Sequence, residues 1–421
     1  MSLLFKFSEK YPRSFYGCKW LVLSLIIGLG AGTLSAIFLS SLSWATTYRE
    51  SHSYLIYALP FAGLLIGLVY HYFGREVEKG NNLILESIHS PKEVIPFKMA
   101  PLVLVATIVT HLFGGSAGRE GTALQLAAAF SDQLTKPFRL SAKDRSTLLI
   151  AGLSAGFASI FGTPWAGAIF GLEVLLLGSI KMEHIFPAVA AAFIADFITR
   201  SWQVGHTHYT ISEVPSVDFK GVFYAAMAGI AFGFAAILFV KATHLMTAIF
   251  KKNIIYAPLR PFIGGLIVVV LVIAFGLQKY TGLGIPVILE AFEQNAMPQD
   301  FILKLMLTAI TLGAGFKGGE VTPLFFIGAV LGSALALVLP LPVGLLAGMG
   351  FVAVFAGAAN TPVACFMMAI ELFGFQSALY VAIACLFAYF FSGKHSIYTS
   401  QGMGKPRHFL FRQFRDKEKG L

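Results

Sequence analysis

Charge is scarce in this sequence. Only 12% of its 421 residues are Asp, Glu, Lys or Arg, where a soluble domain carries about 25%. Cysteine is scarcer still. Cys18, Cys365 and Cys385 show no metal or redox spacing, so no disulfide framework or thiolate site is expected. His111 and His395 also lack ligand spacing, and neither a metal nor a cofactor is assigned. No nucleotide-binding loop and no paired nucleophile and base stand out, which argues against an enzyme. The net charge of +10 does not point to nucleic acid, because the basic residues gather at the ends. They are Lys6, Lys10, Arg13 and Lys19, then Lys405, Arg407, Arg412, Arg415, Lys417 and Lys419.

Apolar residues fill the space that charge leaves. The chain is 57% hydrophobic and 14% aromatic, with a mean hydropathy of +0.76. This composition predicts an all-α polytopic membrane protein, with the lipid bilayer as its surroundings. Apolar runs recur at Trp20–Leu42, Tyr54–Phe73, Val222–Val240 and Pro261–Leu277. Others, such as Pro101–Phe113 and Leu148–Phe161, are shorter than the roughly 20 residues of a full span. Glycine, with 42 copies, interrupts many of them. The flank Lys6–Lys19 ends in no small-residue cleavage signal, so the first run reads as a retained helix. Basic ends stay cytoplasmic, which puts both termini inside and makes the number of crossings even.

The sequence is written twice. LPFAGLLIGLVYHYFG from Leu59 matches RPFIGGLIVVVLVIAFG from Arg260. Thr107 and Thr110 match Thr308 and Thr311, and Glu120 matches Glu320. GTPWAGAIFGLE from Gly162 matches NTPVACFMMAIE from Asn360. The offset stays near 200 residues throughout. One transmembrane unit is expected, with halves at residues 21–205 and 206–400. A cytoplasmic segment, 1–20, precedes it, and a basic tail, 401–421, follows. Cytoplasmic termini and an odd number of crossings per half make the halves inverted. Inverted repeats place their substrate near the bilayer midplane, at broken helices.

Three glycine-rich breaks stand out: Gly80–Ile84 (GNNLI), Gly118–Thr122 (GREGT) and Lys317–Pro323 (KGGEVTP). Each precedes a helical run. Free N–H groups and the partial positive charge of a helix start favour an anion. The backbone of Gly80, Gly118, Gly121 and Val321 is therefore expected at an anion site. Asn81 and Thr322 add side-chain donors, with ordinary helix capping as the alternative. Intramembrane acids are rare and usually functional. Glu120 at a helix start competes for the N–H groups that would hold an anion, and protonation would release it. Arg119 beside it reads as an ion-pair or carbonyl-bonding partner that holds the break together, and it is counted among the residues at the anion site. Glu320 supplies a second acid at membrane depth. Glu173 and Glu371 read as helix ends at the membrane interface. Tyr398, in GKHSIYTSQ, reads either as part of the anion path or as an interfacial aromatic anchor.

These motifs resemble the CLC family of chloride channels and anion/proton antiporters over nearly the whole chain. The carriers are GREGT, FGTPWAGAIFGLE from Phe161 and GFKGGEVTPLFFIGAVLG from Gly315. The resemblance implies a CLC-type inverted repeat of tilted and broken helices. It also implies a homodimer with one anion pathway per subunit, and Glu120 as the gate. Chloride-type members carry Gly-Ser-Gly-Ile-Pro where this chain has Gly80-Asn81-Asn82-Leu83-Ile84. They carry Gly-Ile-Phe-Ala-Pro where it has Gly319-Glu320-Val321-Thr322-Pro323. Many exchangers have an inner proton-relay glutamate where it has Val174. These departures resemble the fluoride-exporting branch, CLC-F. There, residues matching Asn81, Thr322 and Tyr398 line the anion path, and a glutamate matching Glu320 bears on coupling. Fluoride holds its water tightly, and close N–H and O–H donors suit it. The expected function is fluoride/proton antiport across a bacterial inner membrane. A chloride/proton exchanger or a passive chloride channel of the same family is the alternative.

Overall fold

The computed structural model describes residues 12–90, 93–175, 181–393 and 396–401. His395 and the basic ends, apart from Lys19 and the backbone of Arg13, lie outside the described residues. Sixteen α-helices and no β-strand are found among the described residues. The first eight are α1 (Pro12–Ser51), α2 (Leu59–Phe73), α3 (Asn81–His89), α4 (Met99–Leu112), α5 (Glu120–Asp132), α6 (Ala142–Phe161), α7 (Pro164–Glu173) and α8 (Met182–Ser201). The next eight are α9 (Phe219–Asn253), α10 (Leu259–Phe275), α11 (Ile285–Glu293), α12 (Asp300–Ala314), α13 (Val321–Leu335), α14 (Val343–Ala359), α15 (Pro362–Phe373) and α16 (Ala378–Phe391). Each set of eight opens on its longest helix and has a nine-residue helix in third place.

Local signals explain the boundaries. Proline occupies the first turn of α2, α7, α11 and α15, where its missing N–H costs nothing. Ser141 and Asp144 form a reciprocal capping box at the start of α6. Asp218 accepts from the Gly221 N–H, at 2.7 Å, to start α9.

The helices divide into an outer and an inner set, and length alone does not decide which, since α6, at 20 residues, is buried along most of its length. Among the described residues, four stretches are long and apolar enough to cross a membrane: Tyr16–Ser51, Ser53–Phe73, Met182–Ser201 and Phe219–Asn253. They present apolar side chains outward, such as Leu25, Phe61, Phe197 and Phe234. The short helices α5, α13 and α14 are buried almost all round. Irregular backbone between such helices is tolerated at membrane depth only when protein surrounds it. At the α13–α14 crossing the backbones touch. A Cβ on Gly328 or Gly350 would stand 2.0 Å from the other's carbonyl oxygen, the close approach that small residues permit. Cys365 and Cys385 are buried packing residues.

Contacts made by one set of eight helices are returned by the other. Glu173, at the end of α7, accepts from the N–H groups of Val363 (3.0 Å) and Ala364 (2.7 Å) at the start of α15. Glu371, on α15, accepts from Trp165 (2.9 Å) and Ala166 (2.8 Å) at the start of α7. Gly118 and Gly319 exchange two backbone hydrogen bonds, both 2.7 Å, in an isolated antiparallel bridge. Returned contacts of this kind mark an approximate two-fold relation. They also correct the reading of Glu173 as an interfacial helix end, whereas Glu371 is half-buried and its partner Trp165 is exposed. Glu173 is 1% exposed. Both carboxylates satisfy free N–H groups at a helix start.

Candidate functional site

The Gly118–Gly319 bridge brings the starts of α5 and α13 together. Glu120 is the first residue of α5, yet its carboxylate crosses to α13. Oε1 accepts from the Val321 N–H at 2.5 Å. Oε2 accepts from the Thr322 N–H at 3.2 Å, the Thr322 hydroxyl at 2.8 Å and the Arg119 N–H at 2.9 Å. Glu120 is wholly buried. A carboxylate therefore occupies the positive start of α13, the place where a helix N-terminus takes an anion.

The backbone beneath it has to be bare. A Cβ on Gly319 would stand 2.0 Å from Glu120 Oε1, and one on Gly118 would stand 2.7 Å from it. Gly121 lies against Asn81, whose Nδ2 would be 3.1 Å from a Cβ there. Behind the bridge, hydroxyls brace the break. Thr107 and Thr122 share a 2.7 Å hydrogen bond, and Ser116 and Thr308 one of 2.9 Å. Ser116 N–H reaches the Thr311 hydroxyl at 3.3 Å.

Glu320 breaks the two-fold symmetry. It precedes α13 as Glu120 begins α5, and it is half-buried. Its carboxylate has no hydrogen bond among the described residues, whereas Glu120 accepts four.

Two small cavities, each about 10 Å³, lie near the bridge. Each has room for roughly one water-sized occupant. Asn81, Phe170, Val174 and Tyr398 help to line one of them. Gly80 is the N-cap of α3, and Asn81 is that helix's first residue. Asn81 makes no capping hydrogen bond, and its Oδ1 is buried without a partner. The two ends of a terminal amide exchange on a half-turn, so this side chain can present an acceptor or N–H donors. Tyr398 is 4% exposed, with its ring 6.5 Å from that of Phe170. It is not an interfacial anchor. The turn around it is held by Ile397 N–H to Ala358 (3.0 Å), Ser400 N–H to Asn82 Oδ1 (3.0 Å) and Gln401 to Ala359 (2.9 Å).

Arg119, Thr207, Tyr209 and Thr322 help to line the second cavity. Arg119 corrects an expectation. Its guanidinium makes no ion pair with Glu120, and Nε is buried without a partner. The reason is competition: three donors on α13 and the Arg119 N–H already hold the carboxylate. The bridge between the two glycines, not the arginine, holds the break together.

Several contributors were not singled out in the sequence. Thr207 and Tyr209 come from the segment between α8 and α9, which carries no motif. Lys304 carried a signal, a cation inside an apolar run. It is wholly buried, and its Nζ donates to the carbonyls of Tyr280 (3.0 Å) and Gly282 (2.7 Å), over the ring of Phe326. It fixes the chain leading into α11.

Comparison with known proteins agrees with this geometry. The family model described as voltage gated chloride channel matches residues 62–393. A chloride/fluoride channel protein of Pseudomonas syringae pv. tomato is 52% identical over 399 residues, covering 93% of this chain and 88% of that protein. The crystal structure of a CLC-type fluoride/proton antiporter superposes with a TM-score of 0.88 at 36% identity, covering 91% of this chain and 98% of that one. A slow cyanobacterial chloride/proton antiporter shares the fold, with a TM-score of 0.78 at 20% identity, over 95% and 99% of the two chains. With the broken-helix architecture, the glycine bridge and this match over most of its length, the chain belongs to the voltage-gated chloride channel (CLC) family of membrane proteins.

Proposed function

We propose that this protein exports fluoride across a bacterial inner membrane in exchange for protons. The observation that carries the reading is the Glu120 carboxylate on three donors of Val321 and Thr322. A carboxylate and a fluoride ion carry the same charge and compete for the same N–H and O–H groups. Protonation weakens the carboxylate as an acceptor, because charge-assisted hydrogen bonds are about twice as strong as neutral ones. The protonated side chain leaves, and fluoride takes its place. Glu320, without a hydrogen bond of its own, is the second proton carrier. Asn81 and Tyr398 line the approach from one side, and Arg119 from the other. The backbones of Gly80, Gly118 and Gly121 shape the path.

The names of relatives support this reading: a chloride/fluoride channel protein and a CLC-type fluoride/proton antiporter. In this account residues 21–205 and 206–400 are inverted halves of one transport unit, flanked by cytoplasmic segments 1–20 and 401–421. Both termini are cytoplasmic, and the working form is a homodimer.

The test is ion flux from proteoliposomes with pH recorded in the same vessel. Fluoride-driven proton movement, with little response to chloride, is expected. Equal turnover of the two halides would return the protein to the chloride reading. Val174 lines the cavity beside Asn81, in the place of an inner acid, and favours one second reading, uncoupled flow. A reversal potential indifferent to a pH gradient would establish it.

A further inference from the structure

Two cavities of similar size flank α10, one at each end. Arg260, in its first turn, faces a cavity of about 640 Å³. Ile273, near its last turn, faces one of about 670 Å³. At 1.5 Å per residue the two positions are roughly 20 Å apart along the helix. Their electrostatics differ. At the cavity by Ile273, the lining Arg49 is within 3.4 Å of Glu50, and the lining Lys279 is 2.8 Å from Asp300, which sits behind the wall. In the cavity at Arg260, five cations meet one acid: Arg75, Lys79, Lys251, Arg260 and Lys317 against Glu78.

The cations here are poorly matched by protein. Arg75 and Lys251 have no ion pair among the described residues. The Lys317 ammonium lies 4.1 Å from the Tyr70 ring centre and 3.5 Å from the Glu78 carbonyl. Arg260 is spent on the carbonyls of Ile254 and Ile255, and Lys79 on Glu86. The rim carries Tyr72 and Tyr256, both exposed, in ring contact with His71 at 5.1 and 5.6 Å. Exposed tyrosines at a helix end mark headgroup level, and beside them Phe73 and Ile255 are exposed and apolar. A basic pocket between helices, opening at headgroup depth onto apolar surface, suits an anionic lipid.

We propose that this cavity binds the phosphate of an anionic phospholipid of the phosphatidylglycerol type. The phosphate sits between Arg75, Lys251 and Lys317, and the acyl chains lie along α2 and α10. The cluster of basic residues places the site in the cytoplasmic leaflet. Only that choice of leaflet depends on the orientation proposed above. Lys317 lies two residues before Gly319, so a bound headgroup would also steady the bridge beneath Glu120.

The experiment is native mass spectrometry of the full chain, delipidated and then exposed to equal amounts of phosphatidylglycerol and phosphatidylcholine. Wild type should retain phosphatidylglycerol in preference. Arg75→Gln and Lys251→Gln should each lower that preference about fivefold, the effect of one surface charge. Glu78→Gln should raise it, a gain that poor folding cannot produce. Equal retention of the two lipids, or a preference unchanged in all three variants, would overturn the proposal. Displacement of the lipid by millimolar inorganic phosphate would also overturn it, by marking a site for soluble phosphate.

Discussion

Thr322 holds one oxygen of Glu120 twice, through its N–H at 3.2 Å and its hydroxyl at 2.8 Å. Val321 holds the other oxygen at 2.5 Å. The carboxylate thus satisfies free donors at the start of a buried helix, whose desolvation would otherwise be costly. The same donors are a prepared place for a small anion once the side chain withdraws. In the proposed mechanism, gate and binding site are one set of atoms in two occupancies.

Thr322→Val removes the hydroxyl and keeps the backbone donor. A hydrogen bond to a charged group contributes about 1.5–3 kcal/mol. Because the competing carboxylate loses the same bond, apparent fluoride affinity should fall by up to about tenfold, and Thr322→Ser should restore most of it. Titration of flux against fluoride concentration measures both.

Asn81→Ser shortens the polar side chain beside the Tyr398 cavity and withdraws its amide donors. Fluoride, which needs close donors to replace tightly held water, should lose more than chloride. The fluoride-to-chloride flux ratio should fall several-fold. An unchanged ratio would remove Asn81 from the selectivity argument.

Gly319→Ala places a methyl 2.0 Å from Glu120 Oε1. The backbone there is locked in the bridge, so the carboxylate must give way. Proton coupling should drop while anion flow persists, read as a reversal potential that no longer follows the pH gradient.

Arg145 and Asp132 form a buried pair with two contacts of 2.7 Å, and Asp132 also accepts from the Ile95 N–H at 2.7 Å. Arg145→Met leaves a buried carboxylate without its counter-charge, a change that costs about 3–5 kcal/mol. A fall in the unfolding midpoint in detergent, larger than for Lys19→Met at its part-exposed contact with Asp144, would show it.

Much of this architecture was legible in the sequence because it is written in glycine, proline and repetition. Apolar runs too short to span, recurring after about 200 residues, pointed to broken helices in two related sets. GREGT and KGGEVTP marked the helix starts at Glu120 and Val321. What remained hidden was contact across the molecule. Nothing local to Glu173 or Glu371 shows that each caps a helix about 200 residues away. The adjacency of Arg119 and Glu120 suggested an ion pair, but adjacent residues at a helix start point in different directions. The sequence left Tyr398 open between the anion path and an interfacial ring, because its burial depends on Ala358 and Asn82, which are remote in the chain. Thr207 and Tyr209 had no pattern to announce them.

The most direct test of the central claim is paired fluoride and proton flux through Glu120→Gln in proteoliposomes. Glutamine keeps the size of the side chain and cannot change charge. Proton movement driven by fluoride should be abolished, whatever fluoride flux remains. Proton uptake that persists at the wild-type ratio would show that Glu120 is not the coupling gate.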